Sequence, residues 1–413
     1  MNRYTLNNNT FVRKEWFGAL VCNTQTGEFS QFNQDAFEIL KELKTPLNLQ
    51  ELENILEEHE MEVSQDFLAS FLEDLREDSI VTFSEEPLRS KVLFEDCNNI
   101  RKDCLIAPAS ATLYITEWCS KQCSHCVVRS SPYVETKNEL DVDSWKKILD
   151  KLCEFGVFSL VFTGGEPLSK KGIFEILDYA DNLGFMIKIL TDYDWLNNFH
   201  IKRIKQYVGL ADFQVSLDGG KEATHDYIRG KGSFRKAIER LQLLKEYEIP
   251  YTISTVIGKY NIDELGLMVQ IAQQYNAEYF YLNPLAPYGR AREELADQIL
   301  DKEQLEWLGK EYSKLAREGA INPGNPFWIE ERSEVDTAFT DSLYAISLGV
   351  HSFSLDSEGN CYLDSKLKSE KLLLLGNALT DSINDLWYHP ELDNLRSYSR
   401  NMGVTFASKE KVL

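Results

Sequence analysis

The chain has 413 residues and carries 44 Lys plus Arg against 66 Asp plus Glu, a net charge of −22, which disfavours nucleic acid and anionic lipid as partners unless a local basic patch intervenes; none is found. That length suggests two or three domains, each large enough to bury a core without covalent staples. Eight cysteines without recurring paired spacings argue against an extracellular disulfide framework and for a reducing cytoplasm, and neither the N-terminal stretch nor the longest apolar run, at 372–375, resembles a signal or a membrane span.

Residues 17–34 read as two strands around a Thr26-Gly27 turn, because β-branched and aromatic residues flank a glycine. Three helical patterns follow at 35–43, 48–60 and 64–78, the last with Phe67, Leu68, Phe71, Leu72 and Leu75 at helical spacing, and 79–83 closes the unit as a strand. The pattern resembles a winged helix-turn-helix, whose usual partner is DNA. Residues 1–90, however, hold 7 basic and 18 acidic side chains, a net of −11, which argues against DNA.

Residues 91–108 read as a linker, lacking any sustained period. From 109 onward, strand-like runs at 112–116, 158–163, 185–191, 212–217, 251–257 and 279–284 alternate with amphipathic helical stretches. Six βα repeats predict an α/β fold with a parallel sheet, open or curved into a barrel short of the full eight, and active residues at the C-terminal strand ends.

At the first of those ends stands "EWCSKQCSHC", with Cys119, Cys123 and Cys126 spaced C-x3-C-x2-C. A closed structural zinc site takes four ligands, usually as two CxxC-type pairs, and no second pair occurs. His125 is a possible fourth ligand, though its place between two cysteines would strain the loop. Three thiolates on a [4Fe-4S] cluster would leave one iron open to a small molecule. The zinc or buried-thiol alternative stays open at this point.

After the second strand comes "FTGGEP" (162–167), and after the fourth "QVSLDGGKEATHDYIRGKGSF". With the cysteine triplet upstream, residues 109–295 resemble the radical S-adenosylmethionine (SAM) enzymes. The resemblance implies a partial (β/α)6 barrel holding one [4Fe-4S] cluster on Cys119, Cys123 and Cys126. It further implies that Gly164, Gly165, Glu166 and Pro167 line the methionyl amino end of SAM, that Ser216 and Arg229 hold its carboxylate, and that His125 lies near its adenine. By the same resemblance Asp218 shapes a turn and His225 is structural. The "TNG" common after the third strand is "TDY" here (191–193), a departure from the pattern that contacts the ribose, and "NPLAPYGRAREE" (283–294) fits the end of such a barrel. The implied chemistry is reductive cleavage of SAM to a 5′-deoxyadenosyl radical that abstracts a hydrogen atom, with a flavodoxin- or ferredoxin-type electron donor.

Residues 296–413 resemble a SPASM or twitch cap, but Ile346 and Asp364 stand where cluster cysteines are expected, and Cys361 falls three positions early. The cap is therefore expected to keep its scaffold and lack auxiliary clusters. Residues 1–90 resemble a PqqD-like RiPP recognition element, which binds the leader of a ribosomal precursor peptide as an added strand; an oligomerisation or docking module is the alternative. Together the resemblances imply a cytoplasmic maturase of a precursor peptide. Redox-neutral Cα epimerisation is preferred over thioether or carbon–carbon crosslinking, with Cys361 as the candidate hydrogen donor. A sulfatase-maturase-like or small-molecule enzyme, and a noncatalytic peptide-binding partner, are the other readings.

Overall fold

The structure is a computed structural model that describes residues 2–24, 27–94, 100–323, 349, 351–364, 367, 368, 370, 372–401 and 409–411. Thr26 and Ile346, singled out above, lie outside the described residues.

At the N-terminus, β1 (Tyr4–Leu6) pairs antiparallel with β5 (Val81–Phe83), while β2 (Thr10–Glu15), β3 (Gly18–Asn23) and β4 (Glu28–Phe32) form an antiparallel meander. The hairpin at 17–34 forms as expected, and β2 precedes it. Helices Gln34–Glu42, Leu49–Glu58 and Gln65–Glu77 start on Asn33, Asn48 and Ser64, each of whose side chains accepts a backbone N–H of the first turn. Their apolar faces bury Phe37, Leu40, Leu52, Leu56, Leu68 and Leu72 against the sheet in a core of their own.

Residues 91–93, read as the start of a linker, instead form β6 (Lys91–Leu93), which pairs parallel with β2. Below that sheet the N-terminal unit is bolted to the rest of the chain. Arg13 and Glu15 are fully buried and paired at 2.7 Å. Arg13 donates to the carbonyls of Pro108 and Gly156, and Glu15 accepts from the Ile106 amide. Burial pulls the Arg13 pKa down and pushes the Glu15 pKa up, so each ion depends on the other. Phe11, Leu20 and Cys22 close the contact against Leu105, Ala109 and Phe158.

Six parallel strands follow, β7 (Ser110–Thr116), β8 (Ser159–Gly164), β9 (Met186–Thr191), β10 (Leu210–Ser216), β11 (Thr252–Ile257) and β12 (Tyr279–Pro284), paired in sequence order. Along β7 and β9 alternate residues are fully buried, including Ala111, Leu113, Ile115, Ile187 and Ile189, which pack under the helices. The other face is half-open and carries Tyr114, Thr163, Lys188, Gln214 and Tyr281. This partial barrel is the predicted one, and the α/β class holds.

The C-terminal region is not a separate layer. Strand β13 (Ser352–Leu355) joins the barrel sheet parallel to β7, and β14 (Asn360–Tyr362) and β15 (Leu374–Asn377) continue it antiparallel. Trp387 Nε1 and Tyr388 Oη donate to the carbonyls of Leu105 and Ile106, drawing the cap onto the segment between the first two units. Last, β16 (Lys409–Lys411) pairs parallel with the outer edge of β4. Among the described residues no helix is long and apolar enough to cross a membrane.

Candidate active site

The loop leaving β7 is tied down before it reaches the first cysteine. Thr116 Oγ1 and the Glu117 amide both donate to Glu139 Oε1, whose other oxygen takes Lys170. The end of β8 then approaches from the side: the amides of Gly165 and Glu166 donate to the carbonyls of Thr116 and Trp118 at 2.7 and 2.8 Å. A Cβ on Gly164 would lie 2.2 Å from the Thr116 oxygen, and one on Gly165 would lie 1.9 Å from that of Trp118. The glycines of GGEP are thus required by the cysteine loop's own backbone.

Cys119 and Cys123 are buried and Cys126 is half-buried. Burial pushes the Cys123 thiol up to about 11 and the Cys119 thiol further, and the charge of Cys123 acts on Cys119 as that of Cys126 acts on Cys123. Cations stand close by. The Arg229 guanidinium lowers the Cys123 pKa, and Lys121, itself buried, lies 3.8 Å from both Asp192 and Asp194 and 4.3 Å over the Tyr193 ring. Three neighbouring soft donors beside fixed positive charge suit an iron–sulfur cluster. Among the described residues no three His, Cys, Asp or Glu side chains converge on a point that a single ion could occupy.

Glu166 is turned away from open space. Its fully buried carboxyl accepts from Leu168 N, Thr191 Oγ1 and Asp192 N at 2.8–3.0 Å, and burial, with Asp192 beside it, raises its pKa. The carboxyl therefore ties β8 to the end of β9. Pro167 is buried behind it and opens a short 3-10 turn. In the departing "TDY", Asp192 Oδ2 sits 3.6 Å from Cys119 Sγ. Tyr193 is buried at a φ of 70°, a conformation that costs a non-glycine residue about 1–2 kcal/mol.

On the other side of the loop, Asp218 is the hub. It is fully buried, receives His125 Nε2 at 2.7 Å and Arg229 Nε on one oxygen, and accepts the Val256 amide at 2.8 Å on the other. Burial alone would raise its pKa, but Arg229 and His125 outweigh that and hold the carboxyl well below the usual range. His125 and Arg229 are thus brought within 3.4 Å of each other. Ser216 ends β10 two residues before Asp218. Read from sequence as a turn former, Asp218 also carries the charge that positions both. Its signal was present in "SLDG", since a carboxylate eleven residues before Arg229 can meet that guanidinium when a helix folds back.

His225 is buried behind this hub. Its Nδ1 accepts the Asp218 amide at 3.1 Å, so Nε2 carries the proton and donates to Tyr193 Oη at 2.8 Å. Burial, and then Arg229, push its pKa down to about 3. In the unfolded chain it titrates near ~6.5. Between those values the unfolded state binds one more proton, so stability falls as pH drops below about 6.5, by at most about 1.4 kcal/mol per pH unit. Urea melts between about pH 5 and 7 should show that slope, and a His225→Gln variant should lose this share of it.

Cys361 requires correction. Its thiol is fully buried within the core that includes Leu355, Leu363, Leu375 and Trp387, and burial drives its pKa upward. It packs as a small apolar side chain, enclosed by its described neighbours. Cys22 and Cys104 are also buried, and half-buried Cys153 contacts Lys91 on the N-terminal side.

A thiol triplet thus stands at the exit of β7, braced by GGEP and faced by an Asp-Arg-His hub. Residues 113–272 match the model of the Radical SAM superfamily, whose members use a [4Fe-4S] cluster and SAM. The AdoMet-dependent heme synthase of Methanosarcina barkeri is 29% identical over 45% of this chain and 53% of its own. The sporulation killing factor maturation protein SkfB of Bacillus subtilis is 27% identical over 71% of this chain and 68% of its own. In fold, the chain is similar to Streptococcus suis SuiB bound to precursor peptide SuiA, with a TM-score of 0.72 at 15% identity over 96% of this chain and 91% of that one. The chain spans about half the length of the heme synthase.

Proposed function

We propose that the protein is a radical SAM maturase of a ribosomally made precursor peptide. The observation that carries this reading is the union of a three-cysteine radical SAM barrel with an N-terminal unit whose β4 edge accepts an added strand, as β16 does. Likeness to a maturation protein and to the fold of a maturase bound to its precursor supports it. Cys119, Cys123 and Cys126 would hold the cluster, with Arg229, Ser216 and His125 nearest the SAM ligand. When bound, the two supply a carbon-centred radical that takes a hydrogen atom from a held substrate. The chain's own part is positional. The half-open barrel face of Tyr114, Thr163, Lys188, Gln214 and Tyr281 holds the peptide, and the buried Asp218 fixes the orientation of Arg229 and His125. A flavodoxin- or ferredoxin-type protein would deliver the electron.

Enclosure of Cys361 shifts the reaction type. Epimerisation requires a hydrogen donor at the site, and among the described residues no cysteine outside the triplet lies beside the β7 loop. Crosslinking, thioether or carbon–carbon, is then the better-supported outcome: one hydrogen atom would go to the deoxyadenosyl radical, the second hydrogen would leave as a proton when the bond forms, and the remaining electron would return to the cluster held by Cys119, Cys123 and Cys126. Co-expression with the precursor in deuterated water tests this by mass spectrometry. A crosslink shows as loss of two hydrogens, and uptake of one solvent deuterium with no other change would restore epimerisation. A precursor recovered unmodified while SAM is consumed would overturn the peptide reading.

A further inference from the structure

The stretch "YGRAREE", which follows β12, has no role in the site as built so far. It reaches the cysteine loop from the far edge strand of the six-stranded barrel, at the same end. Arg290 is 6% exposed and spends its donors on that loop alone: Nε to the Cys123 carbonyl at 2.8 Å, Nη2 to the Ser130 carbonyl at 2.8 Å, and its amide to the Cys126 carbonyl at 3.1 Å. Gly289, at a φ of 56°, lies so close that a Cβ would be 2.3 Å from the oxygens of both Cys126 and Val127. From the loop side, Arg129 reaches back, with Nη2 to the Gly289 carbonyl at 3.0 Å and both terminal nitrogens to the Glu293 carboxylate at 3.0 and 2.7 Å.

Few of the loop's own backbone groups bond within it; Cys126 N to Cys123 O is one. A buried carbonyl without a donor costs about 1–3 kcal/mol, so a loop of this kind would rearrange unless its oxygens were held from outside. Arg290 serves three of them: the Cys123 and Ser130 oxygens from a planar guanidinium fork that a lysine cannot reproduce, and the Cys126 oxygen from its backbone amide.

The geometry points to Arg290 as a positioning residue that preforms the three-cysteine loop for cluster uptake, with Arg129 and Glu293 as an outer latch that slows cluster loss. The inference rests on the loop holding a cluster and is independent of the peptide substrate, so an unmodified precursor leaves it standing.

The test is anaerobic reconstitution of the full chain with iron and sulfide, read by metal analysis and by electron paramagnetic resonance of the reduced protein with and without SAM. Arg290→Ala and Arg290→Lys should both take up substoichiometric iron, and any signal should fail to shift on adding SAM, while far-ultraviolet circular dichroism stays as in the wild type. Arg129→Ala, a change at a half-exposed side chain, should load fully yet release iron to a chelator about 10-fold faster or more. Full iron and a normal SAM-induced shift in Arg290→Ala would overturn the assignment. Should Arg290→Ala and Arg290→Lys fail to fold, Arg129→Ala decides it, and iron release at the wild-type rate would then overturn it.

Discussion

Replacement of Cys123 by alanine is expected to leave a folded chain that holds no stable cluster and cleaves no SAM, against about four irons per chain in the wild type. Cys123 is the middle ligand of the triplet, the one whose charge is felt by Cys119 and which in turn feels Cys126. Removing it leaves two thiolates, too few for a cubane already one protein ligand short. The fold should survive, because loss of one sulfur opens a cavity no larger than a methyl group's, worth about 0.5–1.5 kcal/mol. Metal and sulfide analysis after anaerobic reconstitution, with 5′-deoxyadenosine as the cleavage product, checks both halves. A variant that still loads four irons would place the cluster elsewhere. A wild-type chain with eight would mean that the cap binds one after all, and one with a lone zinc would remove the radical chemistry altogether.

The parts of the fold legible in the sequence are those specified by local periodicity. Strands β7 to β12 fall within two residues of the period-two runs, and the helices at 34–77 within two residues of the period-3.6 stripes. Alternation and amphipathicity encode which face is buried, and that information sits within a few positions of each residue. What escaped was decided by partners far along the chain. Nothing near Lys91 shows that 91–93 will pair with β2, or near Ser352 that β13 will extend the barrel sheet beside β7. The same holds within the site. The cysteine triplet and GGEP could be read directly, but the reason for the glycines is a carbonyl contact with the Thr116–Trp118 backbone some 48 residues upstream. Arg290 is 167 residues from the Cys123 oxygen it serves. Cys361 misled because a free cysteine in a cap looks the same in sequence whether it faces a substrate or a core.

Substituting Phe67 by aspartate should weaken precursor binding by about 10-fold or more while leaving SAM cleavage without peptide unchanged, given about 1.5–3 kcal/mol for a buried phenylalanine. Phe67 is 41% exposed on the helix Gln65–Glu77, and its ring stacks on Phe71, which in turn meets Phe32 at the end of β4. Phe71 and Phe32 are buried, so Phe67 is the exposed end of an aromatic contact that reaches the strand whose outer edge takes β16, and a leader added to that edge would meet its ring. The segment that occupies the edge reads Lys-Glu-Lys, the basic character an acidic N-terminal unit would select, and a leader must displace it. A point change is the right instrument here, because deleting the unit would strand the Pro108, Gly156 and Ile106 backbone groups that Arg13 and Glu15 satisfy, and would damage the barrel itself. That docking has a further consequence. The N-terminal unit grips the chain just before β7 and β8, whereas the cysteines follow β7, so the docking contact and the cysteine loop lie at opposite ends of a seven-residue strand, with the β4 edge beyond the docking contact. At about 3.3 Å per residue the separation is roughly 23 Å, and the altered residue must follow the docked leader by at least about seven extended residues. Precursors shortened below that spacer should bind with full affinity, yet emerge unmodified. Modification of such a precursor, or unchanged affinity in Phe67→Asp, would move the leader site off β4.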